Sequence, residues 1–154
     1  ILDTRKTTPG FRYPEKWAVL IGGGLNHRMG LFDAILIKDN HIDSSETVEK
    51  AILSVKGYLK KNNFKIPVYI EVRNKEELNE VLKHTWIDRI ILDNMSIHDT
   101  RESVSYANGS FLIESSGNIT KKNIKDYAET GVDFVSMGSI TYSASIIDMS
   151  LVKI

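Results

Sequence analysis

Cysteine is absent from this chain of 154 residues, and with it go disulfides, thiolate nucleophiles and cysteine-based metal centres. Neither charge sign is in excess: 20 Lys and Arg balance 20 Asp and Glu. That balance argues against a nucleic-acid or membrane-surface protein and leaves charge-based function to local clustering. Long apolar runs are lacking, and so is a signal-like opening, so a cytoplasmic protein is the expectation. Without a secretory signal, the sequon-like triplets at Asn94, Asn108 and Asn118 carry no weight. An initiating methionine is missing too. The chain opens at Ile1 inside what reads as a strand, and the expectation is a piece of a longer or trimmed protein.

What is present suits one domain with a real core. Short apolar runs fall at 34–37, 68–72, 90–92, 111–113, 134–137 and 149–154. Rich in Ile, Val and Leu with little alternation, they read as strands buried on both faces. Amphipathic segments separate them. Asp43-Ser44-Ser45-Glu46 resembles a capping box ahead of Val48, Ala51, Ile52, Val55 and Leu59. Further helices are expected from Lys75 to about His84, from Thr100 to Ala107, and from a Thr120 cap to Gly131. Successive strand starts lie about twenty-odd residues apart, a βα rhythm. With a strand over residues 1–5, the count is six or seven. An incomplete, open parallel α/β barrel of TIM-like type fits best, and an open doubly wound sheet is the alternative.

In a βα barrel, chemistry gathers where strands end. Here the runs end in Asp3-Thr4-Arg5-Lys6, Lys38-Asp39-Asn40-His41, Glu71 with Arg73, Asp93-Asn94, Glu114-Ser115-Ser116-Gly117 and Ser136-Met137-Gly138-Ser139. One charged residue at a strand end is ordinary surface. Six such endings converge on one mouth, and burying them without a ligand is costly. Arg5, Lys6, His27, Arg28 and Lys38 form a basic half suited to a dicarboxylate, because guanidinium groups bind carboxylates bidentately. Glu71, Asp93 and Glu114 form an acidic half suited to hydrated magnesium or ribose hydroxyls. The loops SSGNIT and SMGSIT add glycine and hydroxyl groups, the first running toward a helix start where a phosphate is well placed. The loop GGGLNHRMG over 22–30 fits neither a dinucleotide fingerprint nor a P-loop. Its glycines read instead as a tight turn that aims His27 and Arg28 at carboxylates.

Taken together, DTRKTTPGFR, EKWAVLIGGGLNHRMGLFDAILIKDNHI, ILDNM, ESSGNI and GVDFVSMGSIT resemble quinolinate phosphoribosyltransferase, the carboxylating nicotinate-nucleotide pyrophosphorylases, over almost the whole chain. The resemblance implies phosphoribosyl transfer from 5-phosphoribosyl 1-pyrophosphate to quinolinate with Mg²⁺, giving nicotinate mononucleotide, CO₂ and pyrophosphate in NAD biosynthesis. It implies an open α/β barrel over 1–154, preceded in the family by an N-terminal sandwich domain absent from this chain, and assembly at least as a dimer. A partner's N-terminal domain lends an arginine in that family, so the chain alone is expected to be inactive or nearly so. Carried over, Arg5, Lys6, His27, Arg28 and Lys38 hold quinolinate, with Lys6 also stabilising the decarboxylation. Asp93 and Glu71 serve ribose and metal; Ser116, Gly117, Asn118 and Gly138 serve the 5-phosphate.

Three positions depart from the family pattern. Glu71-Val72-Arg73 stands for Glu-x-Glu, which by strand alternation puts a cation where a carboxylate faces the ribose, either weakening metal binding or pairing with Glu71 or Asp93. Asn118 replaces a glycine, a mild change because Asn tolerates left-handed backbone. Tyr142 stands where histidine is common and is given no role. Alternatives are a related phosphoribosyltransferase paralogue, or a non-catalytic anion-binding barrel whose metal site Arg73 has removed.

Overall fold

Residues 1–153 of the chain are described in a computed structural model. Five parallel strands lie in chain order: β1 (Ile35–Ile37), β2 (Val68–Val72), β3 (Arg89–Asp93), β4 (Leu112–Ser116) and β5 (Phe134–Val135). Between and around them run α1 (Arg12–Ile21), α2 (Asp39–Ser44), α3 (Val48–Asn62), α4 (Lys75–Val81), α5 (Ile97–Ala107), α6 (Ile124–Ala128) and α7 (Ser139–Tyr142). Beyond β5 the sheet is continued by two single-residue parallel bridges, Leu2 to Ser136 and Leu2 to Leu25. Leu2 N–H donates to the Val135 carbonyl at 2.8 Å, and Leu25 N–H to the Ile1 carbonyl at 2.9 Å. Seven parallel segments therefore curve into an open α/β barrel, with β1 and the Leu25 segment as its free edges.

The residues 1–5, expected as a full strand, contribute only that narrow bridge. The expected last strand over 149–154 does not form: residues 149–153 are exposed and irregular, and Ile154 lies outside the described residues. Leu25 takes the place of the missing edge.

Alternation along the strands sorts the barrel wall into two faces. Ile37, Val68, Ile70, Val72, Ile90, Leu92 and Ile113 point outward into the main apolar core, where Val48, Ala51, Ile52, Leu78, Val81 and Ala107 of the helices meet them. Burying each such side chain is worth about 1.5–3 kcal/mol. The other face does not match the expectation of strands apolar on both sides. Tyr69, Glu71, Arg89, Asp93, Glu114 and Ser116 share the barrel interior. The short runs read as wholly apolar because the polar residues sit at their ends.

Three helices begin elsewhere than expected, α5 among them, which starts at Ile97 behind a Ser96 cap and not at Thr100. The N-cap of α3 is Thr47, whose Oγ1 accepts the Lys50 N–H at 3.1 Å, while Asp43 and Ser44 close α2 and Glu46 sits in the left-handed region (φ 68°). Thr120 does not start a helix. Its N–H is taken by Asn123 Oδ1 at 2.7 Å, and α6 begins four residues later. Nothing in the sequence reading marked α1. Pro14 is tolerated there because a first-turn N–H has no helical partner.

Candidate active site

The strand ends open into a cavity of about 400 Å³ at one mouth of the barrel. Every residue given a site role from sequence lines it: Arg5, Lys6, His27, Arg28, Lys38, Glu71, Asp93, Ser116, Gly117, Asn118 and Gly138. Arg73 does not. β2 ends at Val72, and Arg73 turns outward to Glu77 (Nη2 to Oε1, 2.6 Å) and Asp43 (Nη2 to Oδ1, 2.8 Å). Those two carboxylates hold its pKa above the ordinary arginine value. The expected intrusion of a cation beside Glu71 is therefore wrong, and so is the expected pairing with Glu71 or Asp93. The residue that shares the interior face with Glu71 on β2 is Tyr69.

The basic half is positioned by a buried ion pair. Asp3 and Lys16 are almost fully inaccessible and meet at 2.6 Å. Asp3 Oδ1 also accepts the backbone N–H of His27 at 2.7 Å, and Lys16 Nζ donates to the carbonyl of His27 at 2.9 Å. Asn26 Nδ2 reaches Asp3 Oδ2 at 2.7 Å. Both backbone groups of His27 are thus gripped by one salt bridge. Gly23, in the left-handed region at φ 82°, turns the chain out of α1 into this grip. The turn is completed by Asp33, whose carboxylate accepts the N–H groups of Met29 and Gly30 at 2.6 and 2.9 Å.

Arg28 Nη1 donates to the Ala34 carbonyl at 3.0 Å, which leaves the rest of its guanidinium toward the cavity. Burial and the neighbouring Arg5 both lower the Arg28 pKa. The Nε atoms of Arg5 and Arg28 are buried without a hydrogen-bond partner among the described residues. Buried donors of this kind ask for an acceptor. His27 is neutral: burial, then Arg89, Lys16, Arg28 and Lys38, lower its pKa to about 4. Its Nδ1 accepts the Arg28 N–H at 2.9 Å, and its Nε2 faces Glu114 Oε1 at 3.6 Å, beyond hydrogen-bond length.

On the acidic side, Lys38 Nζ is shared between Glu71 Oε1 and Oε2 at 2.7 and 2.8 Å, so the two halves touch. Asp93 receives only the Asn94 amide, at 3.1 Å, and no cation among the described residues. Glu114 is buried, and Arg89 Nη1 holds its Oε2 at 2.8 Å; burial nevertheless raises its pKa. Two carboxylates beside an open, polar cavity suit a magnesium ion that keeps much of its water, with Asp93 the readier ligand.

Beside Asp93 lies a run of left-handed backbone. Asn94, Gly117 and Asn118 have φ of 55°, 91° and 51°. A Cβ on Gly117 would lie 2.4 Å from Asn94 Oδ1, so only glycine fits against that side chain. Asn118 Nδ2 closes the turn on Asn94 Oδ1 at 2.9 Å. Gly138, after the neighbouring β5, lines the same cavity, where Tyr142 and Lys6 leave no room for a Cβ. No helix starts directly behind Ser116 and Gly117, contrary to the sequence expectation.

Sequence reasoning missed Asp3 as an anchor, Lys16, Tyr69 and Arg89. Strand alternation from Asp93 back through Ile91 would have put Arg89 on the inner face. Nothing local marks Lys16, since a lysine on a helix ordinarily faces water.

The family model for the quinolinate phosphoribosyl transferase C-terminal domain matches residues 1–152. The chain belongs to this family. Quinolinate phosphoribosyltransferase (decarboxylating) 2, mitochondrial, of Nicotiana glauca is 46% identical over 98% of the chain, which covers 47% of that protein. The chloroplastic nicotinate-nucleotide pyrophosphorylase (carboxylating) of Arabidopsis thaliana is 44% identical at the same coverages. Among solved structures, the nicotinate-nucleotide pyrophosphorylase of Francisella tularensis is 46% identical with a TM-score of 0.85, over 95% of this chain and 50% of that one. The chain thus spans about half the length of the quinolinate phosphoribosyltransferases it matches.

Proposed function

We propose that this chain is the barrel half of a carboxylating nicotinate-nucleotide pyrophosphorylase. The reaction transfers the phosphoribosyl group of 5-phosphoribosyl 1-pyrophosphate to quinolinate and releases CO₂ and pyrophosphate. One observation carries the reading: the side chains of Arg5, Lys6 and Arg28 line one cavity together with the carboxylates of Glu71 and Asp93. Two guanidinium groups suit two carboxylates on one small ring, and a single carboxylate would leave one of them unmatched.

In this reading Arg5, Arg28 and Lys6 hold the two carboxylates, with the His27 Nε2–H beside them. The pyridine nitrogen is thereby set against ribose C1 while the Asn94–Gly117–Asn118 turn, Ser116 and Gly138 hold the 5-phosphate. Catalysis is mostly orientation and fixed charge. As pyrophosphate leaves, positive charge grows on the ribose, and Glu71 and Asp93 face it. A magnesium ion held by Asp93 and Glu71 would neutralise pyrophosphate charge. The ring carbon that loses CO₂ keeps the electron pair until it takes a proton, and the Lys6 ammonium stabilises that charge. The alternative of a non-catalytic anion-binding barrel without a metal site loses its motive, because Arg73 points away from Glu71 to Asp43 and Glu77.

The family resemblance further supports a homodimer in which a partner's N-terminal domain lends an arginine. Tyr13, Trp17, Leu20 and Ile21 of α1, with Leu31 and Phe32 after it, are exposed, and apolar surface of that extent suits an interface. No described helix is long and apolar enough to cross a membrane; the cytoplasm is the proposed compartment.

The test is CO₂ release from labelled quinolinate, measured for the chain alone and for the chain fused behind a family N-terminal domain. The fused protein should turn over, and Lys6→Ala should cut its rate by about 10²-fold or more. No release from the fused protein would overturn the activity, an unchanged Lys6→Ala rate would overturn the role of Lys6, and equal rates with and without the domain would overturn the lent arginine.

A further inference from the structure

Beneath the cavity floor lies a charged layer that the proposed chemistry does not use. Arg89 enters the barrel from the first position of β3, opposite to the mouth. Its guanidinium is sandwiched between the rings of Tyr69 and Phe134, 4.7 and 4.1 Å from their centroids. From that fixed plane Nη1 donates to Glu114 Oε2 at 2.8 Å, and the other oxygen of Glu114 faces His27 Nε2 at 3.6 Å. The His27 ring also stands edge-on to Tyr69, with centroids 5.5 Å apart. Arg89, Glu114 and His27 thus form a buried chain reaching from the barrel interior to the cavity wall.

The charges along this chain decide its protonation. A buried carboxylate without a partner takes up a proton rather than stay ionised. Arg89 is the cation bonded to Glu114; Glu71, also facing it, is an anion that pushes the other way. Around His27 stand Arg89, Lys16, Arg28 and Lys38, all cations, and Glu114 is the anion at its Nε2. With Arg89 present, the chain balances as cation, carboxylate and neutral imidazole. The Nδ1 atom is already an acceptor for the Arg28 N–H, so the imidazole proton sits on Nε2, toward Glu114 and the cavity.

We infer that Arg89 is a positioning residue that acts through Glu114: it compensates the charge of that carboxylate and so keeps His27 a neutral imidazole. The consequence is a substrate pocket whose affinity for a dianion does not vary with pH through the neutral range. Removing Arg89 takes away the cation bonded to Glu114, and the buried Glu114–His27 pair then takes up a proton more readily even with Lys16, Arg28 and Lys38 still near His27. It does so as imidazolium with carboxylate or as imidazole with carboxylic acid.

Ring ¹⁵N shifts of His27 in the wild-type chain test the first part without any substitution. They should report a neutral, Nε2-protonated ring from pH 6 to pH 8. A ring that titrates in that range would overturn the inference. In Arg89→Met at pH 7, either imidazolium ¹⁵N shifts or a buried carboxylic-acid carbonyl band from Glu114 should appear. Both should vanish in Arg89→Met/Glu114→Gln, where that carboxylate is gone. If folded Arg89→Met keeps the wild-type signature, Arg89 is only packing material and the inference falls. Calorimetric titration with quinolinate adds a functional arm, which rests on the activity proposed above. Affinity should be flat with pH in the wild type and rise in Arg89→Met as pH falls, by up to tenfold per unit for one linked proton. A flat profile in Arg89→Met would overturn the link to binding. Absence of quinolinate binding by the wild type would instead count against the proposed activity, leaving the spectroscopic arm intact.

Discussion

Lys16 is a lysine where a helix facing a core would ordinarily carry leucine. Its ammonium is buried against Asp3 and the His27 carbonyl. Removing one partner of such a pair strands the other charge in the interior. Lys16→Met should therefore destabilise the chain by about 3–5 kcal/mol in urea denaturation. A loss within about 0.5 kcal/mol would mean that the pair does not hold the His27 loop. His27 itself gives a pH signature. Its folded pKa of about 4 lies below the unfolded value of 6.5, so the unfolded chain binds the proton more readily. The resulting stability is complete above pH about 6.5 and is lost as pH falls toward 4, amounting to roughly 3 kcal/mol. His27→Gln should flatten denaturation midpoints over that window relative to wild type; an unchanged slope would contradict the buried neutral ring. These residues were the hardest to read in advance. The strand-end residues announced themselves because several polar groups followed apolar runs, whereas Lys16, Asp3 and Arg89 act through partners distant in sequence.

Elements were legible in kind more than in their ends. The apolar faces of α3, α4 and α5 follow the helical period, and the structure has all three. The start of α3 was misplaced because Asp43-Ser44-Ser45-Glu46 satisfies the capping pattern, yet α2 had already used those residues and Thr47 was left to cap. Thr47→Ala should accordingly cost about 1 kcal/mol, while Ser45→Ala should stay within about 0.5 kcal/mol. Thermal or urea unfolding checks the pair, and the reverse order would contradict the observed cap. α1 escaped because its pattern is inverted: Tyr13, Trp17 and Ile21 face outward and Lys16 faces in. Arg73 was misread for a related reason. Alternation holds only while the strand lasts, and β2 ends one residue earlier.

At the scale of the whole molecule, the βα rhythm and the convergence of strand ends were sufficient for an open parallel barrel with its site at one mouth. The closing side was not legible, since a bridge of one residue at Leu25 leaves no apolar run to find. The account's central claim is that the basic half of this mouth reads two carboxylates on one ring. Calorimetry with quinolinate and with nicotinate, which lacks one carboxylate, tests it most directly. Quinolinate should bind at least about 10²-fold more tightly, because nicotinate leaves one of the two cavity-lining guanidinium groups without a carboxylate. Equal affinities, or tighter binding of nicotinate, would contradict the claim.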